Sequence, residues 1–432
     1  MRAEKFASRR TIMTIVAVVG ALMICMFGIR LLPVQGQSKA SVSYAAVPGE
    51  KGGQDAYGPY EVVADWPKPL SNLTGDPKWR WGVSQGIFAE SPNRVFMINK
   101  GQIPELKRPA QQPVPQFGPS LAFPISGVPF RHGSQSPVAA VHGPDPSRDD
   151  PGWKGKMGVD CKWGNVLNVL DADGNVTESW TQWDDMLRDP HAIYISPYDP
   201  EKNVWLVDTN AQVIFKFSHD GKKLLQTIGT LYQSGADENH FNRPTFLAWL
   251  PDGTMYLADG YVNTRVVKFD KNGKFLMAWG QEGNPPNETR PNYFNSVHGI
   301  AVDPVTRRVF VNDRTNRRIQ VFDENGKFLD QWSLGKEAEV YTIYMSADQH
   351  LWAADVRLSK ISKFDLDGHF LYSWGSLGDW PGGMFYVHGL SVDQEGNLYT
   401  AEVGNARVQK FRPRKGANPD FLVGPPVRPV WQ

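Results

Sequence analysis

The stretch MYLADGYVNTRVVKFDKNGKFLMAWG, residues 255–280, reads as three strands joined by two short loops. MYLAD, RVVKF and KFLMAW are short runs rich in apolar, β-branched and aromatic residues, bounded by Gly, Asn and Asp, the composition of pleated strands. DKNG, between the second and third runs, supplies the Asp and Gly of a tight hairpin turn. The plan recurs along the chain. VFVNDRTNRRIQVFDENGKFLDQW (309–332), LWAADVRLSKISKFDLDGHFLYSWG (351–375) and VWLVDTNAQVIFKFSHDGKKLLQTIG (204–229) repeat it. LYTAEVGNARVQKF (398–411) is a fifth copy, and VFMINKG (95–101) begins a sixth. Another apolar strand precedes each copy: GIFAE, AIYIS, TFLAWL, GIAVD, TIYMS and GLSVD. Four strands per unit and six units predict an all-β chain folded as a six-bladed β-propeller, because no unit can bury both of its faces alone. The blades start near residues 84, 190, 244, 297, 341 and 387.

Working outward, the propeller is expected to span 60–415, with YEVVADWP (60–67) completing the last blade and closing the ring. Residues 416–432 are left as a C-terminal tail and 37–59 as a linker. A long Pro/Gly-rich insertion, 102–160, interrupts the first blade between its second and third strands. A loop of that length leaving the functional face is expected to act as a lid. Residues 1–36 join a basic head, MRAEKFASRR, to the apolar TIMTIVAVVGALMICMFGI, the layout of a signal peptide or an N-terminal membrane anchor. The expectation is an exported protein, periplasmic or extracellular, that meets a membrane only through that segment.

Other function classes fall away on composition. Lys and Arg (46) nearly balance Asp and Glu (45), a net charge of +1, so nothing argues for a nucleic-acid partner. Of two cysteines one lies in the leader, which leaves Cys161 without an internal disulfide partner and reads as a small buried side chain. The turns DADGN, DKNGK, DENGK and DLDGH lack the further spaced ligands and closing Glu of a calcium loop, and read as hairpin turns.

The residue that opens the innermost strand of each blade is, in order, Gln85, His191, Thr245, His298, Thr342 and His388. Histidine therefore occupies every second blade. Innermost strands line the channel, so the three imidazoles should converge on its axis with pseudo-threefold symmetry. Three histidines with room for a fourth ligand describe a catalytic zinc site. The loops joining second to third strands surround the same point and carry Lys100, Thr209, Tyr261, Arg314, Arg357 and Gly404. A phenol beside a cationic metal can serve as general base, the candidate role of Tyr261. An arginine there can grip a carboxylate through two N–H groups, the candidate role of Arg314. His132, His142, His219, His240, His350 and His369 fall in turns, loops or the insertion and receive no role.

With these residues in place, the stretches 236–280 and 297–322 resemble the NHL-repeat propellers, and among them the peptidyl-α-hydroxyglycine α-amidating lyases; the likeness runs over 84–412 apart from the insertion. The resemblance implies zinc on His191, His298 and His388, a catalytic tyrosine at Tyr261 and an active-site arginine at Arg314. Lys100 stands where the family has a second arginine, keeping the charge without the fork, and is with Arg314 a candidate anion-binding group of the site. The family's structural calcium uses an acidic residue after the last zinc histidine, where this chain has Gly389, and the family's disulfides are missing. The implied reaction splits the C–N bond of a carbinolamide in a small-molecule or peptide substrate, giving an amide and glyoxylate, with a separate monooxygenase supplying the hydroxylated substrate. Two other classes compete: a non-enzymatic NHL propeller binding a peptide or carbohydrate, and a lactonase-type propeller hydrolase, whose metal would be held mainly by carboxylates and amides.

Overall fold

The computed structural model describes residues 58–105, 157–286 and 288–431, with the backbone of 53–55, 112–113 and 122–123. Six antiparallel sheets of four strands each form the blades. Blade 1 runs Trp79–Ser91, Arg94–Pro104, Leu167–Leu170, Val176–Ser179, and blade 2 runs Pro190–Ile195, Val204–Asp208, Val213–Phe217, Leu224–Ile228. Blade 3 is Leu247–Trp249 to Phe275–Trp279, blade 4 Val297–Val302 to Phe328–Ser333, and blade 5 Val340–Met345 to Phe370–Trp374. Blade 6 takes Val387–Val392, Leu398–Glu402 and Arg407–Pro413 from the C-terminal end. Its outermost strand, Tyr60–Val62, comes from the N-terminal side and pairs antiparallel with Phe411–Pro413. The innermost strands pack against one another around the ring.

Burial explains the patterns seen in the sequence. The second strands VWLVD, MYLAD, VFVND, LWAAD and LYTAE are buried at every position, because neighbouring blades cover both faces. Outermost strands such as Leu224–Ile228 and Phe275–Trp279 are only partly buried. Each second strand of blades 2 to 6 ends in a carboxylate: Asp208, Asp259, Asp313, Asp355 and Glu402. These accept N–H groups from the segment that enters the same blade's innermost strand. Asp208 takes those of Arg188 and Asp189 (both 2.8 Å), Asp259 that of Asn242 (3.0 Å), Asp313 that of Asn295 (2.8 Å). Arg265, Arg318 and Arg407 pair with the carboxylates of blades 3, 4 and 6. These clamps fix the loops at the mouth of the channel where the histidines begin.

Three boundaries differ from the sequence reading. Strand pairing in blade 1 continues through Gln102, Ile103 and Pro104, and Gln102 also bridges Lys162, so the insertion leaves the sheet later than 102. The twist of a long two-stranded ribbon tolerates the Pro at its end, which hid the strand. Within the 37–59 linker, Gly53–Asp55 adds a parallel strand to the outer edge of blade 5. The tail 416–432 belongs to the fold: Phe421 stacks on Tyr372 with centroids 4.4 Å apart, and the carbonyls of Pro425 and Pro197 accept N–H groups of Ala347 and Val430 (both 2.8 Å). It crosses the channel mouth opposite the histidines, where Val427 lines a cavity of about 150 Å³. The leader at 1–36 and most of the proposed lid lie outside the described residues. Among the described residues no helix is long and apolar enough to cross a membrane.

Candidate metal centre

His191, His298 and His388 are buried, at 0%, 0% and 1% exposure, and their ligand atoms lie within 4.8 Å of one another. Each opens an innermost strand of an even blade, and the odd blades orient it. The Nδ1–H of His191 donates to the carbonyl of Thr245 (3.1 Å), that of His298 to Tyr341 (2.6 Å) and that of His388 to Gln85 (2.8 Å). A carbonyl only accepts, so in all three rings Nδ1 carries the hydrogen and Nε2 presents its lone pair to the axis. Phe246 forms the floor, with its ring centroid 5.0, 5.3 and 5.5 Å from those of His191, His298 and His388.

The Tyr261 hydroxyl sits above the triad, 2.8 Å from Nε2 of His298 and 3.1 Å from Nε2 of His191. One phenolic proton cannot serve both lone pairs, and Nε2 of His388 is buried with no hydrogen-bond partner among the described residues. Leaving buried lone pairs without a proton is costly. Three convergent, desolvated nitrogen donors, each with its second nitrogen held by a carbonyl, are the donor set that suits a borderline-soft cation. The residues fit a metal ion.

Electrostatics point the same way. Burial is the main reason that His388 is driven down to about 3 and that His191 and His298 fall well below the usual imidazole range, with cationic neighbours adding to it. All three are therefore held neutral, the form in which an imidazole can bind a metal. Burial pushes the Tyr261 phenol up, while the guanidinium groups of Arg314 and Arg243 pull it back.

Of the residues expected around the triad, Tyr261 and Arg314 are there. The Arg314 guanidinium carbon lies 5.0 Å from the Tyr261 ring centroid and 4.9 Å from that of Tyr341, and Nη2 donates to the Ser296 hydroxyl at 3.0 Å. Lys100 is near as well, but its ammonium forms a buried ion pair with Asp189, the side chains being 4% and 3% exposed. Arg357 turns outward to Glu337 on the surface. His219, His240, His350 and His369 lie against the carboxylates of Glu90, Asp237, Asp348 and Asp365, away from the channel axis. Sequence reasoning missed Phe246, Asp189, Tyr341 and Arg243. All four lie one or two residues from the histidine-level position of their blade, and comparing those offsets blade by blade would have raised them.

The NHL repeat signature matches residues 386–411. NHL repeat-containing protein 3 of Mus musculus is 30% identical over 274 residues, 59% of this chain and 74% of that protein.

The chain belongs to the NHL-repeat proteins.

Within that family it is also similar to peptidyl-alpha-hydroxyglycine alpha-amidating lyase 1 of Drosophila melanogaster, 29% identical over 280 residues, 60% of this chain and 50% of that one. Peptidyl-glycine alpha-amidating monooxygenase A of Xenopus laevis is 30% identical over 236 residues, 52% of this chain and 25% of that protein. This NHL propeller thus spans a quarter to a half of the length of those two amidating relatives.

Proposed function

We propose that this NHL propeller is a zinc-dependent carbon–nitrogen lyase acting on a carbinolamide of the α-hydroxyglycine type. The observation that carries the reading is the meeting of three buried, oriented Nε2 atoms with the Tyr261 hydroxyl. His191, His298 and His388 would hold the ion, which when bound supplies Lewis acidity toward the substrate hydroxyl. Tyr261 Oη accepts the hydroxyl proton, and the two guanidinium groups over its ring offset part of the burial that otherwise disfavours the phenolate. As that proton leaves, the C–O bond becomes a carbonyl and the C–N bond breaks. The electron pair goes to the amide nitrogen, which takes up a proton, so the products are a carboxamide and glyoxylate. Arg314 stabilises negative charge beside the reacting carbon. Lys100 and Asp189 together leave no net charge beside the triad. The named relatives support the lyase reading. A second reading, a binding platform, stays open because NHL repeat-containing protein 3 is named for its repeats alone and a fold does not fix a function.

The test joins metal analysis with glyoxylate release from an N-acyl-α-hydroxyglycine. His298→Ala is expected to lose both metal and turnover. Tyr261→Phe is expected to keep the metal and lose about 10²- to 10⁴-fold in kcat. Full turnover by metal-free protein would overturn the reading, and bound metal with no turnover would favour the platform.

A further inference from the structure

The site as described has a gap in its charge ledger. A lyase of this type must recognise a carboxylate next to the carbinol carbon. Lys100 is poorly placed to do so, because its ammonium is already matched to Asp189 in a buried pair. Arg314 is one guanidinium, and part of its fork is engaged by the Ser296 hydroxyl. The structure holds a second arginine in the same place. The guanidinium carbon of Arg243 lies 4.6 Å from the Tyr261 ring centroid, so that Arg243 and Arg314 bracket one phenol.

The backbone holds Arg243 there deliberately. Its φ is 62°, a left-handed conformation unfavourable for a residue with a Cβ. The Arg243 N–H donates to Oε1 of Gln212 at 2.6 Å, and its carbonyl accepts the Tyr261 N–H at 3.1 Å. Blade 4 repeats the arrangement: Ser296 has φ 62° and its carbonyl accepts the Arg314 N–H at 3.2 Å. In blade 6, Tyr386 has φ 56° and accepts the Val403 N–H at 2.9 Å. The residue two before the histidine-level position is therefore a repeated seat that turns a side chain toward the mouth of the site. In blade 3 that seat holds an arginine.

We propose that Arg243 selects the anionic substrate, its guanidinium receiving the carboxylate that departs as glyoxylate. This rests on the lyase reading above for the identity of the carboxylate, though not for the presence of an anion seat. A planar fork of N–H donors matches a carboxylate in two contacts, which the paired Lys100 ammonium cannot do.

The test uses the full-length, zinc-loaded chain and two probes that cannot turn over, N-acetylglycine and its neutral amide, N-acetylglycinamide, titrated calorimetrically. The wild type is expected to bind the carboxylate about 10-fold or more tightly than the amide. Arg243→Gln should erase that preference, and Arg243→Lys should restore part of it. With N-acetyl-α-hydroxyglycine, Arg243→Gln should raise KM about 10- to 100-fold with a much smaller change in kcat. An undiminished carboxylate preference in Arg243→Gln, or no preference in the wild type, overturns the proposal. An Arg243-dependent preference in a wild type that never releases glyoxylate upholds the anion seat and overturns the lyase reading instead.

Discussion

Lys100 and Asp189 illustrate how a single residue's role depends on its partner. An ammonium near three imidazoles would make a cation site less favourable, yet the adjacent carboxylate compensates it. Both side chains are almost fully buried, so removing one leaves an uncompensated charge in low dielectric. Lys100→Met is therefore expected to destabilise the protein by about 3–5 kcal/mol in urea unfolding, and the double variant Lys100→Met/Asp189→Asn by much less. Equal losses in the two would show that the pair is not what holds the ammonium. The three histidines, Tyr261 and Arg314 were legible as residues because repeats put them in register with one another. Arg243 was not, since Arg-Pro before a strand reads as a solvated turn; its seat is visible only when blades 3, 4 and 6 are compared at the same backbone position.

At the scale of the element, each hairpin turn does more than reverse the chain. In blades 4 and 5 the turn glycine faces a tryptophan of the preceding blade. Gly326 of blade 4 lies under Trp279 of blade 3, and Gly368 of blade 5 under Trp332 of blade 4. The carboxylates that open these turns, Asp323 and Asp365, accept N–H groups of their own turn, leaving the glycine free to meet the indole. At Gly326 φ is +78° and an added Cβ would stand 2.8 Å from Trp279 Cδ2. Gly326→Ala should cost about 1–3 kcal/mol from overpacking, plus about 1 kcal/mol for the left-handed backbone. Gly416→Ala, with φ +75° and nothing within 4 Å, should cost the backbone part alone, about 1 kcal/mol. Similar losses for both, read from chemical denaturation, would contradict the blade-to-blade contact. The strands and turns were readable from the Asp-x-x-Gly spacing. The indole contacts were not, because they join blades through residues about 35 to 50 apart whose spacing carries no local period.

For the whole molecule, stability depends on closing the ring. Tyr60 is 1% exposed, its ring lies 5.5 Å from Trp374 and 6.4 Å from Phe411, and its hydroxyl accepts the Val423 N–H at 2.9 Å. One side chain thus ties the N-terminal strand, blades 5 and 6 and the C-terminal tail together. Tyr60→Ala should cost about 3–5 kcal/mol by the usual price of a large buried ring, and Glu61→Ala, on the exposed face, about 0.5 kcal/mol or less. A Tyr60→Ala variant as stable as the wild type would mean that the ring closes without its N-terminal latch. By itself the sequence determined the number of blades, the strand that closes them and the alternation of histidine with Gln or Thr around the axis. These follow from hydrophobic period and repeat register, which are properties of residue order. The tertiary structure alone decided which imidazole nitrogen faces the axis, because the partners that set it are the backbone carbonyls of Thr245, Tyr341 and Gln85. It also decided that Lys100 is matched and that Arg243 stands beside Tyr261. Backbone atoms are the same at every position and carry no letter, so only the closed ring, which brings residues 85 and 388 within a hydrogen bond, could reveal them.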